Sequence, residues 1–208
     1  VVVGFITFQS ENQALASGVW ELAQPAQFGE GVLSNGSFFS EVSCASPGNC
    51  TAVGWFEYQI DGQEDPAREA FTMTSIDGEW ETARPAQFEE GIQSDRPDAV
   101  LISVSCTSPG NCTAVGNFRP SDRRTGAFTM TSNDGEWEQA RPAEFAAGIQ
   151  HETRRGAFYS VSCASPGNCT AVGSFERFID DSYTSDAFTM TSTQPPSNEP
   201  GVARPAEF

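Results

Sequence analysis

One string, SCASPGNCTAVG at 43–54, returns as SCTSPGNCTAVG at 105–116 and as SCASPGNCTAVG at 162–173, and this recurrence restricts the chain to a repeat architecture. A second block trails each copy. It reads AFTMTSIDGEWETARPAQF at 70–88 and AFTMTSNDGEWEQARPAEF at 127–145, then shrinks to AFTMTS at 187–192 and ARPAEF at 203–208. The spacing is 62 from Cys44 to Cys106 and 57 from Cys106 to Cys163. A period near 60 belongs to solenoids, propellers or arrays of small units. The first residues are the same unit without its beginning: VVVGF at 1–5 aligns with TAVGW at 51–55, and SGVWELAQPAQF at 17–28 with the Trp-containing block. We therefore divide one repeat domain, 1–208, into units 1–36, 37–98, 99–155 and 156–208.

Each complete unit reads as four strands. In the second unit these are FFSEVSC (38–44), CTAVGWFEY (50–58), EAFTMTS (69–75) and a strand opening with GEWETA (78–83). Phe71 and Met73 alternate with Thr72 and Thr74, the period of a strand. Ser-Pro-Gly-Asn joins the first pair and Ile-Asp-Gly or Asn-Asp-Gly the second, because Pro presets φ while Gly, Asn and Asp tolerate positive φ. Gly and Pro supply 19 and 13 residues, and apolar residues are 38% in short bursts, which suits many short strands rather than helices. The expected fold class is all-β: a β-propeller of about four blades, three of them four-stranded and one lacking its first strand, or part of a larger propeller. Stacked blades would bury Trp20, Trp80 and Trp137, Phe28, Phe88, Phe145 and Phe208, and Phe71, Phe128 and Phe188.

The cysteines form three pairs with the same separation: Cys44 and Cys50, Cys106 and Cys112, Cys163 and Cys169. Each pair brackets the Ser-Pro-Gly-Asn turn, and facing positions of a hairpin lie about 4.5–5.5 Å apart, within disulfide reach. One bridge per unit is expected, and even pairing points to a secreted, extracellular or cell-surface home. Zinc would need closer pairs and further ligands, and the single histidine, His151, lies in a linker.

Charge narrows the partners. The net charge is −17, with 28 acidic residues against 11 cations, all arginine, so phosphate backbones are repelled and nucleic acid is excluded as a partner. No stretch approaches the ~20 apolar residues of a membrane helix, so no membrane span is expected.

Repeats of the form SCxSxxxCxAVG followed by a Gly-x-Trp turn resemble those of secreted actinobacterial proteins. That resemblance implies a propeller fold and carries no assigned activity. SIDGEW (75–80) and SNDGEW (132–137) are distantly similar to the Asp-box of sialidase-type propellers, one residue short before the Trp, and that resemblance implies a structural turn rather than catalysis.

No catalytic set, cofactor site or metal site is expected. Arg84, Arg141 and Arg204 recur within ARPA and are candidate ligand-binding residues, because sialidases grip a carboxylate with three arginines. Gln24 at the same place in the first unit breaks that symmetry, and the bland reading makes the arginines partners of Glu or backbone carbonyls. Glu79 and Glu81, Glu136 and Glu138, Asp77 and Asp134 read as a solvated face, with weak Ca²⁺ binding at the Asp-Gly turns as the next choice. Asn35, Asn49, Asn111 and Asn168 are candidate glycosylation sequons, although three of them serve the hairpin turn equally well. The expected function is a non-enzymatic extracellular module for binding a carbohydrate or protein partner. Self-assembly by strand addition at the open edge of unit one is a further route. The alternative is a sialidase- or lyase-like enzyme on a propeller scaffold.

Overall fold

Short apolar strands closed by turn residues give sheets, and every described element is a strand. The computed structural model describes residues 23–29, 34–62, 66–90, 97–119, 125–145, 153–179, 182–192 and 202–205, the side chains of 153–154, 179 and 202–205 excepted. The second unit comprises β1 (Gly36–Ser46), β2 (Asn49–Tyr58), β3 (Ala67–Ile76), β4 (Glu79–Trp80) and β5 (Arg84–Pro85). The third comprises β6 (Ala99–Ser108), β7 (Asn111–Phe118), β8 (Gly126–Asn133), β9 (Glu136–Trp137), β10 (Arg141–Pro142) and β11 (Glu144–Phe145). The fourth comprises β12 (Thr153–Ser165), β13 (Asn168–Ile179), β14 (Ser182–Ser192) and β15 (Val202–Pro205). Each unit is a meander in chain order, antiparallel between its own strands.

The turns follow their chemistry. Gly48, Gly110 and Gly167 take φ of 78°, 76° and 73° in the Ser-Pro-Gly-Asn turns. Asp77 and Gly78 sit at 51° and 91°, and Asp134 and Gly135 at 50° and 88°, the two left-handed residues of a type I′ hairpin. The two turns of a unit are clasped together: the Gly78 amide donates to the Gly48 carbonyl at 2.9 Å, and Gly135 to Gly110 at 2.9 Å. The Ser that ends AFTMTS completes the clasp, with Ser75 Oγ donating to Gly48 O at 2.7 Å and Ser132 Oγ to Gly110 O at 2.6 Å.

The first strand of the second, third and fourth units carries a bulge, between Phe39 and Glu41, Leu101 and Ser103, and Phe158 and Ser160. Opposite each bulge stands the Gly of the AVG motif. An added Cβ on Gly54, Gly116 or Gly173 would lie 1.9, 2.2 or 2.1 Å from a carbonyl oxygen of the first strand. The motif glycine is there because the bulge drives backbone into the space a side chain would fill.

The fourth strand differs from the expected continuous one. It is broken into pairs of residues: β4 and β5 both pair with β3, and between them the backbone turns outward at Ala83 to a second partner. The Ala83 amide donates to Gln27 O at 2.7 Å and Ala140 to Gln87 O at 2.7 Å. Thus the PAQF tail of one unit runs parallel to the outer edge of the next, at Phe28 beside Ala83 and Phe88 beside Ala140. In the third unit the tail is β11, parallel to β15.

The core follows from this hand-over. Phe28 packs on Phe56 and Phe71 at centroid distances of 5.1 and 5.2 Å. Phe88 meets Phe118 and Phe128 at 5.6 and 5.0 Å, and Phe145 meets Phe175 and Phe188 at 5.5 and 5.0 Å. Phe71, Phe128 and Phe188 are buried, whereas Trp137 packs only partly and Trp80 is exposed. Trp80 lines a groove together with Gln24, Phe39 and Val42. Trp20, Phe208 and His151 lie outside the described residues.

Candidate functional site

The repeated residues are used chiefly to join one unit to the next. The first strands lie side by side, and each offers outward amides to its predecessor's side chains. Val104 N donates to Glu41 Oε2 at 2.7 Å and Cys106 N to Ser43 Oγ at 3.0 Å. One unit on, Val161 N donates to Ser103 Oγ at 3.1 Å and Cys163 N to Ser105 Oγ at 3.0 Å. A strand edge with free donors must be satisfied, and the serines of the S-V-S-C string do so without merging the sheets. Sequence reasoning missed this role. Its signal was present: two serines flank a valine before Cys106 and Cys163, with Glu41 in the first serine's place before Cys44.

Behind these bonds the apolar faces interlock. Val53 of the second unit joins Leu101, Val104 and Ala114 of the third, and Val115 of the third joins Phe158, Val161 and Ala171 of the fourth. Thr51 Oγ1 lies 3.4 Å from Cys112 Sγ, and Cys169 Sγ lies 3.3 Å from Thr113 Oγ1. The three disulfides close Cys44–Cys50, Cys106–Cys112 and Cys163–Cys169, with Cα separations of 3.9, 4.0 and 3.9 Å. These are shorter than the expected 4.5–5.5 Å. The cysteines form the close, non-hydrogen-bonded type of facing pair, which is why the Cys106 and Cys163 amides point to the neighbouring unit.

Two clefts open along the unit boundaries. The first, about 480 Å³, is lined by Thr51, Thr74, Glu81, Arg84, Asp134 and Glu136 among others. The second, about 160 Å³, carries Thr129, Thr131, Glu138 and Arg141. Arg84 reaches Glu81 Oε2 at 3.3 Å and Arg141 reaches Glu138 Oε2 at 3.5 Å. These two candidate arginines therefore occupy different clefts, each beside its own glutamate. Arg204 pairs with Thr189 through its backbone in β15, and its side chain is outside the described part. Exposed pairs of this kind contribute about 0–1 kcal/mol. We expect Arg141→Ala to change unfolding free energy by less than about 0.5 kcal/mol, as urea denaturation will measure.

The sequon asparagines divide. Asn49 Nδ2 donates to Ser46 Oγ and Pro47 O at 3.1 and 3.3 Å. Asn111 Nδ2 donates to Pro109 O at 3.2 Å, and Asn168 Nδ2 to Ser165 Oγ at 2.7 Å and Pro166 O at 3.4 Å. The Asn49 carboxamide oxygen also receives the Asp77 amide at 3.4 Å, as Asn111 receives Asp134 at 3.5 Å. Asn35 differs: it is exposed, and its backbone amide donates to Glu57 O at 2.7 Å.

Among the described residues no three Asp, Glu, His or Cys side chains converge as metal ligands. No described helix is long and apolar enough to cross a membrane. One hydroxyl is electrostatically distinctive. Burial, then the hydrogen bond to Glu69 at 2.9 Å and its charge, push the Tyr58 phenol above its ordinary range. Nearby, Asp98 holds Arg68 at 2.6 Å and Arg119 at 3.3 Å, tying the second unit to the third. No protein-family model matches the chain, and no curated protein matches it in sequence.

Proposed function

We propose that the chain is a non-enzymatic, extracellular repeat module of the β-propeller type, working by binding a carbohydrate or protein partner or by assembling at the cell surface. One observation carries this reading: the repeated polar groups are engaged within the fold, some joining unit to unit and some bracing turns inside a unit. Ser43, Ser103 and Ser105 cap neighbouring strands, and Asn49 and Asn111 brace turns. Four-stranded meanders whose first strands adjoin, with each tail crossing to the next outer edge, suit blades arranged about an axis. The resemblance to secreted actinobacterial repeat proteins supports the same fold, and three disulfides favour an oxidising compartment.

The second reading is a sialidase- or lyase-like enzyme, favoured by the Asp-box-like turns alone. A carboxylate grip requires its arginines to converge, and Arg84 and Arg141 line separate clefts. Fold does not decide between the two readings. A fluorogenic sialoside and a glycan array do. The module reading expects no turnover; saturable glycan or protein binding would identify a partner. Sialoside hydrolysis that disappears in Arg141→Ala would end it in favour of the enzyme.

A further inference from the structure

Asn35-Gly36 is the single Asn-Gly step in the sequence, and it falls where the chain bends into β1. The Asn35 amide is fixed on Glu57 O at 2.7 Å. Successive amides of a strand point to opposite edges, so the Gly36 N–H is turned away from β2, and it donates to Ser34 Oγ at 3.2 Å. Gly36 has room around it: a Cβ built there would find its nearest neighbour, the Phe38 ring, at 3.7 Å. The asparagines of the repeat are held differently. Asn49, Asn111 and Asn168 spend their carboxamides on the Ser-Pro-Gly-Asn turns. Each is followed by a cysteine closed in a disulfide, and the Cys50 and Cys169 amides are bound to Ser75 Oγ and Ser192 Oγ at 3.2 and 3.3 Å.

We infer that Asn35 is a site of spontaneous deamidation in the folded protein. The Gly36 nitrogen gives its proton to solvent base and attacks Asn35 Cγ. A nitrogen–carbon bond forms, the Cγ–Nδ2 bond breaks, and Nδ2 leaves as ammonia with a proton returned from water. The succinimide ring so formed then takes up water. Opening between the Gly36 nitrogen and Cγ leaves aspartate. Opening between that nitrogen and the Asn35 main-chain carbonyl carbon leaves isoaspartate, whose main chain runs through Cβ and Cγ. Water is the one co-reactant. Either product adds a negative charge to a chain already at −17 and removes the amide that a glycan would need at this sequon. Isoaspartate also lengthens the backbone at the entrance to β1, beside the Glu57 bond. The chemistry is independent of whether the chain is a binding module or an enzyme.

The test incubates the oxidised, folded chain in mildly alkaline buffer and follows each asparagine by peptide mapping and mass spectrometry. Asn35 is expected to convert about tenfold faster than Asn49 or more, a gap of ~1.4 kcal/mol in barrier, and to yield both aspartate and isoaspartate. The rate is expected to rise with pH, because the attacking nitrogen must first lose its proton. Gly36→Ala keeps the fold, since its new carbon meets the Phe38 ring at an ordinary contact distance. It is expected to slow the conversion by a similar factor, because the ring must then close past a Cβ that glycine lacks. The same chain, reduced and unfolded in guanidinium, gives the rate without structure. Folded conversion held down to the level of Asn49 while the unfolded chain reacts overturns the inference. So does Gly36→Ala reacting as fast as the wild type, or aspartate forming without isoaspartate, which would mean direct hydrolysis of the side chain.

Discussion

Reduction of the three disulfides is expected to abolish cooperative folding. Each bridge closes a loop of seven residues, from Cys44 to Cys50 and at the repeat-equivalent places. Loop-closure entropy assigns such a loop about 2–2.5 kcal/mol, so three together contribute roughly 7 kcal/mol when they act independently. Ordinary domains are stable by ~5–15 kcal/mol in all, so a loss of this size is comparable with the whole. Circular dichroism with thermal melting, in dithiothreitol and without it, measures the loss. A reduced protein melting within a few degrees of the oxidised one would show that stacking alone holds the units. The bridges also lie within the unit contacts, where Thr51 and Thr113 meet Cys112 and Cys169. Reduction therefore loosens the boundaries as well as the hairpins.

Gly116→Ala is expected to cost about 4 kcal/mol, near the upper end for a single substitution. The new methyl carbon would stand 2.2 Å from Val100 O and 2.7 Å from the Phe128 ring. Neither neighbour can yield cheaply. The carbonyl belongs to the bulged first strand, and Phe128 is fully buried against Phe88 and Phe118. Ordinary overpacking costs ~1–3 kcal/mol because a side chain can shift; here the obstacle is backbone. Urea unfolding of Gly116→Ala beside Gly126→Ala separates the two kinds of crowding. At Gly126 the three nearest atoms all belong to the Phe118 ring, the first at 2.5 Å, so the obstacle there is a side chain rather than backbone. Equal losses in the two variants would mean that the bulge relaxes and the motif glycine has another purpose.

Much of the unit was legible in the residues. The S-P-G-N and D-G strings identify turns because few residues accept positive φ, and Gly48, Asp77 and Gly78 adopt it. Cysteine separation identified the bridges, since a tight turn leaves the two residues facing each other. Phe71 and Phe128 read as core from strand alternation, and they are buried. The break in the fourth strand was not legible, because Ala83 and Ala140 bond there to Gln27 and Gln87 in the preceding unit's tail. Trp80 and Trp137 are alike in sequence yet differ in exposure, since only Trp137 has a described unit packed ahead of its own. The candidate arginines were distinguished by periodicity, which repeats salt bridges as faithfully as binding groups.

Local rules therefore settled how each unit is made: strand length, turn type, bridge and the face that must be covered all follow from neighbouring residues. Tertiary structure decided how one unit meets the next, including the serine caps on the first strands and the parallel tails carrying Phe28, Phe88 and Phe145. The reason is range. Backbone preference and hairpin geometry act over a few residues, whereas the Cys106 amide donates its hydrogen bond to Ser43 Oγ, 63 positions away, and local pattern does not say which residues meet over such a distance.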